Sequence, residues 1–181
     1  DYIMMDAELT RYGGVETRDE GRLYAKWLKE HEGQYDGVIF SMPIFADENG
    51  AITALQDAGV PILMQAYPDE IGKMDFKHRR DAFCGKLSLC NNLYQYGIKY
   101  SLTARHTCPV DSEEFHADVE KFARVCAVVK SMRTARIAQL GARVTPFRTV
   151  RYSEKLLQDA GYRGVWMYEL GFTGDFRSRD L

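Results

Sequence analysis

Apolar residues in this chain come in short runs separated by amphipathic stretches. "GVIF" (37–40) and "VPILM" (60–64) are strand-sized and continuous, as buried parallel strands are. Between and around them the period lengthens to that of a helix. Thr17 and Glu20 form a capping-box pair, and Leu23, Tyr24, Trp27 and Leu28 follow on one helical face up to Gly33. Ala51, Ile52 and Leu55 predict a second helix, ending before Gly59. Leu87, Cys90 and Tyr94 predict the buried face of a third, running to about Gly97. "IKYSLT" (98–103) reads as another strand. A long helix then starts at Asp111 and Glu114, with Phe115, Val119, Phe122, Cys126 and Val129 as its apolar stripe.

The order helix, strand, helix, strand, with short connections, is that of right-handed crossovers in a parallel sheet. After Met132 the pattern restarts: strand 135–141, loop 142–152, helix 153–161 and strand 163–169. The expected fold is therefore α/β, a doubly wound, mostly parallel sheet of Rossmann or flavodoxin type, with the start of a second α/β domain. The expected division is 1–133 and 134–181. The chain has no initiator Met and its second domain begins late, so it is expected to be a piece of a longer protein.

Composition changes this picture little. The 181 residues are 45% hydrophobic and 28% charged, with a net charge of −2. That balance argues against nucleic acid and against an anionic membrane surface as partners. No apolar run approaches the ~20 residues needed to span a bilayer. The four cysteines, Cys84, Cys90, Cys108 and Cys126, form no C-x-x-C pair and read as free thiols in a reducing, cytoplasmic setting.

In an open parallel sheet, ligands bind beyond the carboxyl ends of the strands. The loops following the strands are the places to look. In the first, Asp47 and Glu48 suit acid–base work or contacts to sugar hydroxyls, although Asp47 or Asn49 also suits a helix cap. In the second, Tyr67 offers a flat face with a polar tip, beside Asp69. The alternative is a proline-fixed turn with solvated carboxylates. At the start of the third helix, Cys84 and Lys86 flank Gly85. A helix N-terminus and a nearby ammonium both favour a thiolate, but no histidine is placed in sequence to serve Cys84 as a base. Gly85 admits a close approach to the backbone. His106 and Cys108 hint at a metal without the second pair a structural site needs, and His31 and His116 fall on polar helix faces. In the loop at 141–152, Arg143 and Phe147 are candidates, but neither dinucleotide-binding nor P-loop glycine signatures are present.

Taken together and in order, "DGVIFSMPIFADENGAITAL", "PILMQAYPDE", "RRDAFCGKLSLCNNLYQYGI" and "RIAQLGARVTPFRTVRYSEKLLQDAG" resemble the N-terminal and early middle parts of L-fucose isomerase-like proteins, in the L-fucose/L-arabinose isomerase superfamily. The resemblance implies an aldose–ketose isomerase in which a divalent metal, usually manganese, binds the sugar's carbonyl and adjacent hydroxyl while a proton moves through an ene-diol. The family's metal ligands lie further along than this chain reaches, so the resemblance implies no catalytic and no metal residues here, and an inactive chain by itself. It also implies a homo-oligomer, because the segment matching "AFCGK" borders a neighbouring subunit's sugar site. There the arabinose branch has Ala-His-Gly-Gly-Arg, and Phe83 takes the histidine's place. The residues expected to line the sugar are Phe83, Cys84, Gly85 and Lys86, with Asp47, Glu48, Tyr67, Asp69, Arg143 and Phe147. Lys86 would donate to hydroxyls. A sugar-binding module of flavodoxin-like fold without catalysis is the alternative.

Overall fold

The capping box at Thr17 starts the first helix. The Glu20 N–H donates to the Thr17 hydroxyl at 3.2 Å, and the Glu20 carboxylate accepts from the N–H groups of Thr17 (2.8 Å) and Glu16 (2.7 Å). These bonds, Glu16's first, hold the carboxyl below its ordinary range. Helix α1 spans Arg18–Glu30, and the further elements are β1 (Val38–Met42), α2 (Glu48–Leu55), β2 (Ile62–Ala66), α3 (Ala82–Gln95), β3 (Ser101–Leu102), α4 (Glu113–Thr134) and α5 (Glu154–Asp159). The computed structural model describes residues 1–135 and 152–159. They fall in two compact units, Asp1–Ala127 and Val128–Leu181. The first carries the sheet.

The three strands are parallel in the order β1-β2-β3, with Val38 opposite Ile62, Met42 opposite Ala66 and Leu63 opposite Ser101. All five residues of β2 are buried, as its central place requires. Alternation along the strand sends them to two faces. Ile62, Met64 and Ala66 join Ile52 and Leu55 of α2 and Leu89 and Leu93 of α3 in one core. Leu63 meets Phe122 and Cys126 of α4 in another. Helices therefore cover both faces of a parallel sheet, and the α/β expectation holds.

Several local readings are corrected. The buried face of α3 is Ala82, Gly85, Lys86, Leu89, Cys90 and Leu93, whereas Leu87 and Tyr94 are exposed. The helix carries two apolar stripes, and the sheet takes the one whose small residues, Ala82 and Gly85, allow close packing. In α1, Leu23 is exposed. Gly21 faces α2 instead, where a side chain would collide with the carbonyl oxygen of Gly50. His31 is not merely solvated: it stacks on Trp27, with Nδ1 2.9 Å from that residue's carbonyl oxygen. Pairing in β3 is limited to Ser101 and Leu102, while Ile98 and Tyr100 pack on the core ahead of it. The hydroxyl of Ser112, rather than the Asp111 carboxylate, accepts the N–H of Phe115 at the head of α4. Of the helix expected at 153–161, α5 (Glu154–Asp159) is described; the strand expected at 135–141 lies outside the described residues beyond Ala135, and the one at 163–169 lies wholly outside them. Among the described residues no helix is long and apolar enough to cross a membrane.

Candidate functional site

The connections that leave the strands at their carboxyl ends are residues 43–47, 67–81 and 103–112, and hydrogen bonds tie them into one surface. Tyr67 N–H donates to Met42 C=O at 3.0 Å, Phe45 N–H to Arg80 C=O at 2.7 Å, and Cys108 N–H to Ala66 C=O at 3.0 Å. Beneath them, the wholly buried Gln65 accepts from the Ser41 hydroxyl (2.6 Å) and donates to Cys108 C=O (2.5 Å). A buried amide with both ends engaged costs little and fixes its neighbours.

The long loop 67–81 closes on itself through Asp69, whose carboxylate accepts from the N–H groups of Arg80 (2.6 Å) and Asp81 (3.3 Å). Asp81 is the only described non-glycine residue with positive φ, at 52°, which costs roughly 1–2 kcal/mol. Its ion pair with Arg79 at 2.8 Å helps hold it. The Arg80 guanidinium lies 5.6 Å from the ring centre of Tyr67. Tyr67 and Asp69 thus serve the loop itself. A cleft of about 570 Å³ opens here, lined by Ile44, Phe45, Phe76, Arg80 and Asp81 among others. Of its cations, Lys73, Arg79 and Arg80 are paired with Glu70 or Asp81, at 2.5, 2.8 and 3.4 Å, whereas Lys77 makes no ion pair among the described residues. Lys73 in turn keeps the Glu70 carboxyl below its usual range.

Asp47 is the cap of α2, its carboxylate accepting from Asn49 N–H at 2.6 Å. Glu48 accepts the hydroxyl of Ser88 and joins α2 to α3.

A second cleft, of about 300 Å³, lies along α3 and β3, lined by Phe83, Lys86, Tyr94, Tyr100, Leu102 and His106 among others. Phe83 and Cys84 are exposed. Gly85 is filled from within: a Cβ there would come 2.9 Å from Met42 Cε and 3.3 Å from Phe45 Cα. The close approach it permits is to this chain's own β1 and the loop after it. Lys86 is only 4% exposed. Its ammonium donates to the Thr103 hydroxyl at 3.0 Å and to His106 C=O at 2.9 Å. Burial pushes its pKa down. The ammonium is thus engaged by the loop after β3, and not by Cys84. Burial raises the thiols of Cys90 and Cys108. Arg143 and Phe147 lie outside the described residues. Among the described residues no three His, Cys, Asp or Glu side chains gather where they could hold a metal ion.

The whole of this surface falls within residues 1–133, and that stretch matches the N-terminal domain of fucose/sulfoquinovose isomerases. The chain belongs to this family. No curated relative matches the sequence. The sheet, the three loops at its carboxyl edge and both clefts are therefore parts of a fucose/sulfoquinovose isomerase N-terminal domain. Sequence reasoning named the loops that the structure places at this edge, and the start of α3. It missed His106 as a neighbour of Phe83, whose rings lie 5.1 Å apart, because residues 23 positions apart meet only through the fold. The available signal was the polar loop at 104–110, placed at the same edge as the others.

Proposed function

We propose that this chain forms the N-terminal part of an aldose–ketose isomerase and supplies walls of a sugar pocket and contacts between subunits. The observation that carries this reading is the family match over residues 1–133. It favours an isomerase over a sugar-binding module of the same architecture. Phe83 and Cys84, exposed at the head of α3, form the rim, with the Phe83 ring as an apolar wall for the C–H face of a sugar. Lys86 stands behind the rim and braces it. Manganese belongs to this reading through the family resemblance, and the described residues offer no donor set for it. The ion is assigned to other residues of the full-length protein. These side chains bind and orient the sugar and exclude water. The homo-oligomer belongs to this reading through the same resemblance, in which the segment matching "AFCGK" borders a neighbouring subunit's sugar site. A cytoplasmic setting fits the four free thiols.

The test is expression of the full-length reading frame and of residues 1–181, each assayed with manganese against L-fucose, L-arabinose, D-arabinose and sulfoquinovose. The full-length protein is expected to isomerise at least one, and residues 1–181 none. A full-length protein inert on every aldose would remove the isomerase reading. Turnover by residues 1–181 alone would show that catalysis resides here after all.

A further inference from the structure

His106 is an exposed imidazole on a rigid mount. Its own carbonyl accepts from the buried Lys86 ammonium at 2.9 Å, and Thr103, three residues earlier, takes a second bond from the same group at 3.0 Å. The Thr103 hydroxyl also donates to Arg105 C=O at 2.7 Å. Ala104 N–H donates to the Asp118 carboxylate of α4 at 2.9 Å, and Arg105 pairs with Glu114 at 3.1 Å. Two residues beyond His106, Cys108 is anchored to β2 through its N–H and its C=O.

The side chain on this mount is unspent. Among the described residues neither ring nitrogen of His106 makes a hydrogen bond or an ion pair. Its one ring contact is with Phe83, at 5.1 Å and 34°. Both rings border the cleft of about 300 Å³ beside α3 and β3, which Tyr94 and Tyr100 also line. Aromatic faces beside a few fixed polar atoms match the two kinds of surface a monosaccharide presents: C–H patches for the rings and hydroxyls for the nitrogens. A volume of this order suits one sugar ring.

We propose that His106 is a sugar-binding residue, hydrogen-bonding a hydroxyl of an aldose whose C–H face rests on Phe83, and that Lys86 is the positioning residue that holds His106 there. This rests on the isomerase reading and extends it, by naming the polar contact at the rim and the side chain that sets it.

The test uses the full-length protein. His106→Ala is expected to raise KM for the best aldose about fivefold to tenfold with kcat nearly unchanged, as loss of one ground-state hydrogen bond does. His106→Gln, which keeps a side-chain N–H, should recover most of that loss. A structural role would instead lower the melting temperature in both variants and leave KM alone. An unchanged KM in His106→Ala, beside an active wild type, would overturn the proposal while the isomerase reading stands. If the wild type isomerises no aldose, the isomerase reading fails by itself. His106 is then read from its imidazole NMR resonances during titration with L-fucose. A saturable shift, abolished in Phe83→Ala, supports the contact, and resonances that do not move overturn it.

Discussion

Lys86 is the sharpest place to perturb this domain, because two opposed effects meet there and two variants separate them. Lys86→Ala removes the ammonium and three methylene groups from a position only 4% exposed. The methylenes are worth about 0.8 kcal/mol each, roughly 2.4 kcal/mol before any cavity cost. The two bonds to Thr103 and His106 come from a charged donor, at about 1.5–3 kcal/mol each. Against them stands a desolvation cost of several kcal/mol for a buried ammonium. These two nearly cancel. The stem therefore decides the stability, and the ammonium decides the placement of the loop. Lys86→Met refills the stem, so it should lose only about 1 kcal/mol against about 3 for Ala. At about 2–4 °C per kcal/mol for a chain of this size, the Ala variant should melt about 6–12 °C lower and the Met variant about 2–4 °C lower. Thermal unfolding followed by circular dichroism gives both shifts. Amide hydrogen exchange across residues 103–108 should accelerate in both variants, since both lose the ammonium. Equal melting losses in Ala and Met would refute the reasoning about the stem, and unchanged exchange at 103–108 in both would refute the brace.

Gly21→Ala should destabilise by about 1–3 kcal/mol in urea unfolding, although alanine improves helix propensity by about 1 kcal/mol, because the new methyl meets the Gly50 backbone; a more stable variant would show that α1 can shift freely. Gly85→Ala should cost less, since its nearest obstacle is the flexible end of Met42. A maleimide reagent should label one thiol, Cys84, in the native chain and four in denaturant, because Cys90, Cys108 and Cys126 are buried; rapid native labelling of a second thiol would contradict the packing. Burial raises these three thiols above the ordinary 9.0, so the stability they contribute is whole below that pH and falls as pH climbs through the raised values. Lys86 acts in the opposite direction, its folded pKa lying below 10.5, so the cost of keeping it charged fades as pH rises towards that value. Urea midpoints measured upward from pH 9.0 should therefore decline, and Cys126→Ala, which removes a thiol remote from the lysine, should decline less steeply; identical slopes would refute the assignment.

The helices and two of the strands were legible because their signals are local. Thr17 and Glu20 cap α1, Asp47 caps α2, and "VPILM" predicts a strand buried on both faces. What remained hidden depends on partners distant in sequence. Gly21 and Gly50 acquire a reason only where the start of α1 meets α2. The stripe of Leu87 and Tyr94 was as apolar as the one that packs, and only the sheet's need for small residues beneath it chose between them. At the carboxyl edge of the sheet the loops were legible from the positions of the strands, but the partners of their side chains were not. The resemblance implies a donor to sugar hydroxyls at Lys86; the fold gives its ammonium Thr103 and His106 C=O, 17 and 20 residues away. Tyr67 and Asp69 read either as ligand groups or as parts of a proline-fixed turn, and the fold engages both within loop 67–81.

The glycine between a thiol and a lysine at the head of α3 follows from what each neighbour must reach. Successive residues of a helix point about 100° apart, so 83 to 86 face four directions. Phe83 and Cys84 look outward. Gly85 lies against Met42 and the backbone at Phe45, the end of β1 and the loop after it. Lys86 reaches the loop after β3. A single helical turn thereby keys together connections that leave two different edge strands, and Asp69 joins it to the loop from the strand between them through Asp81 N–H. The cost in helix propensity at Gly85, roughly 1 kcal/mol, is offset by that convergence. A change at 85 or 86 would therefore reach a ligand at the rim by moving Phe45 or His106, without either residue touching it.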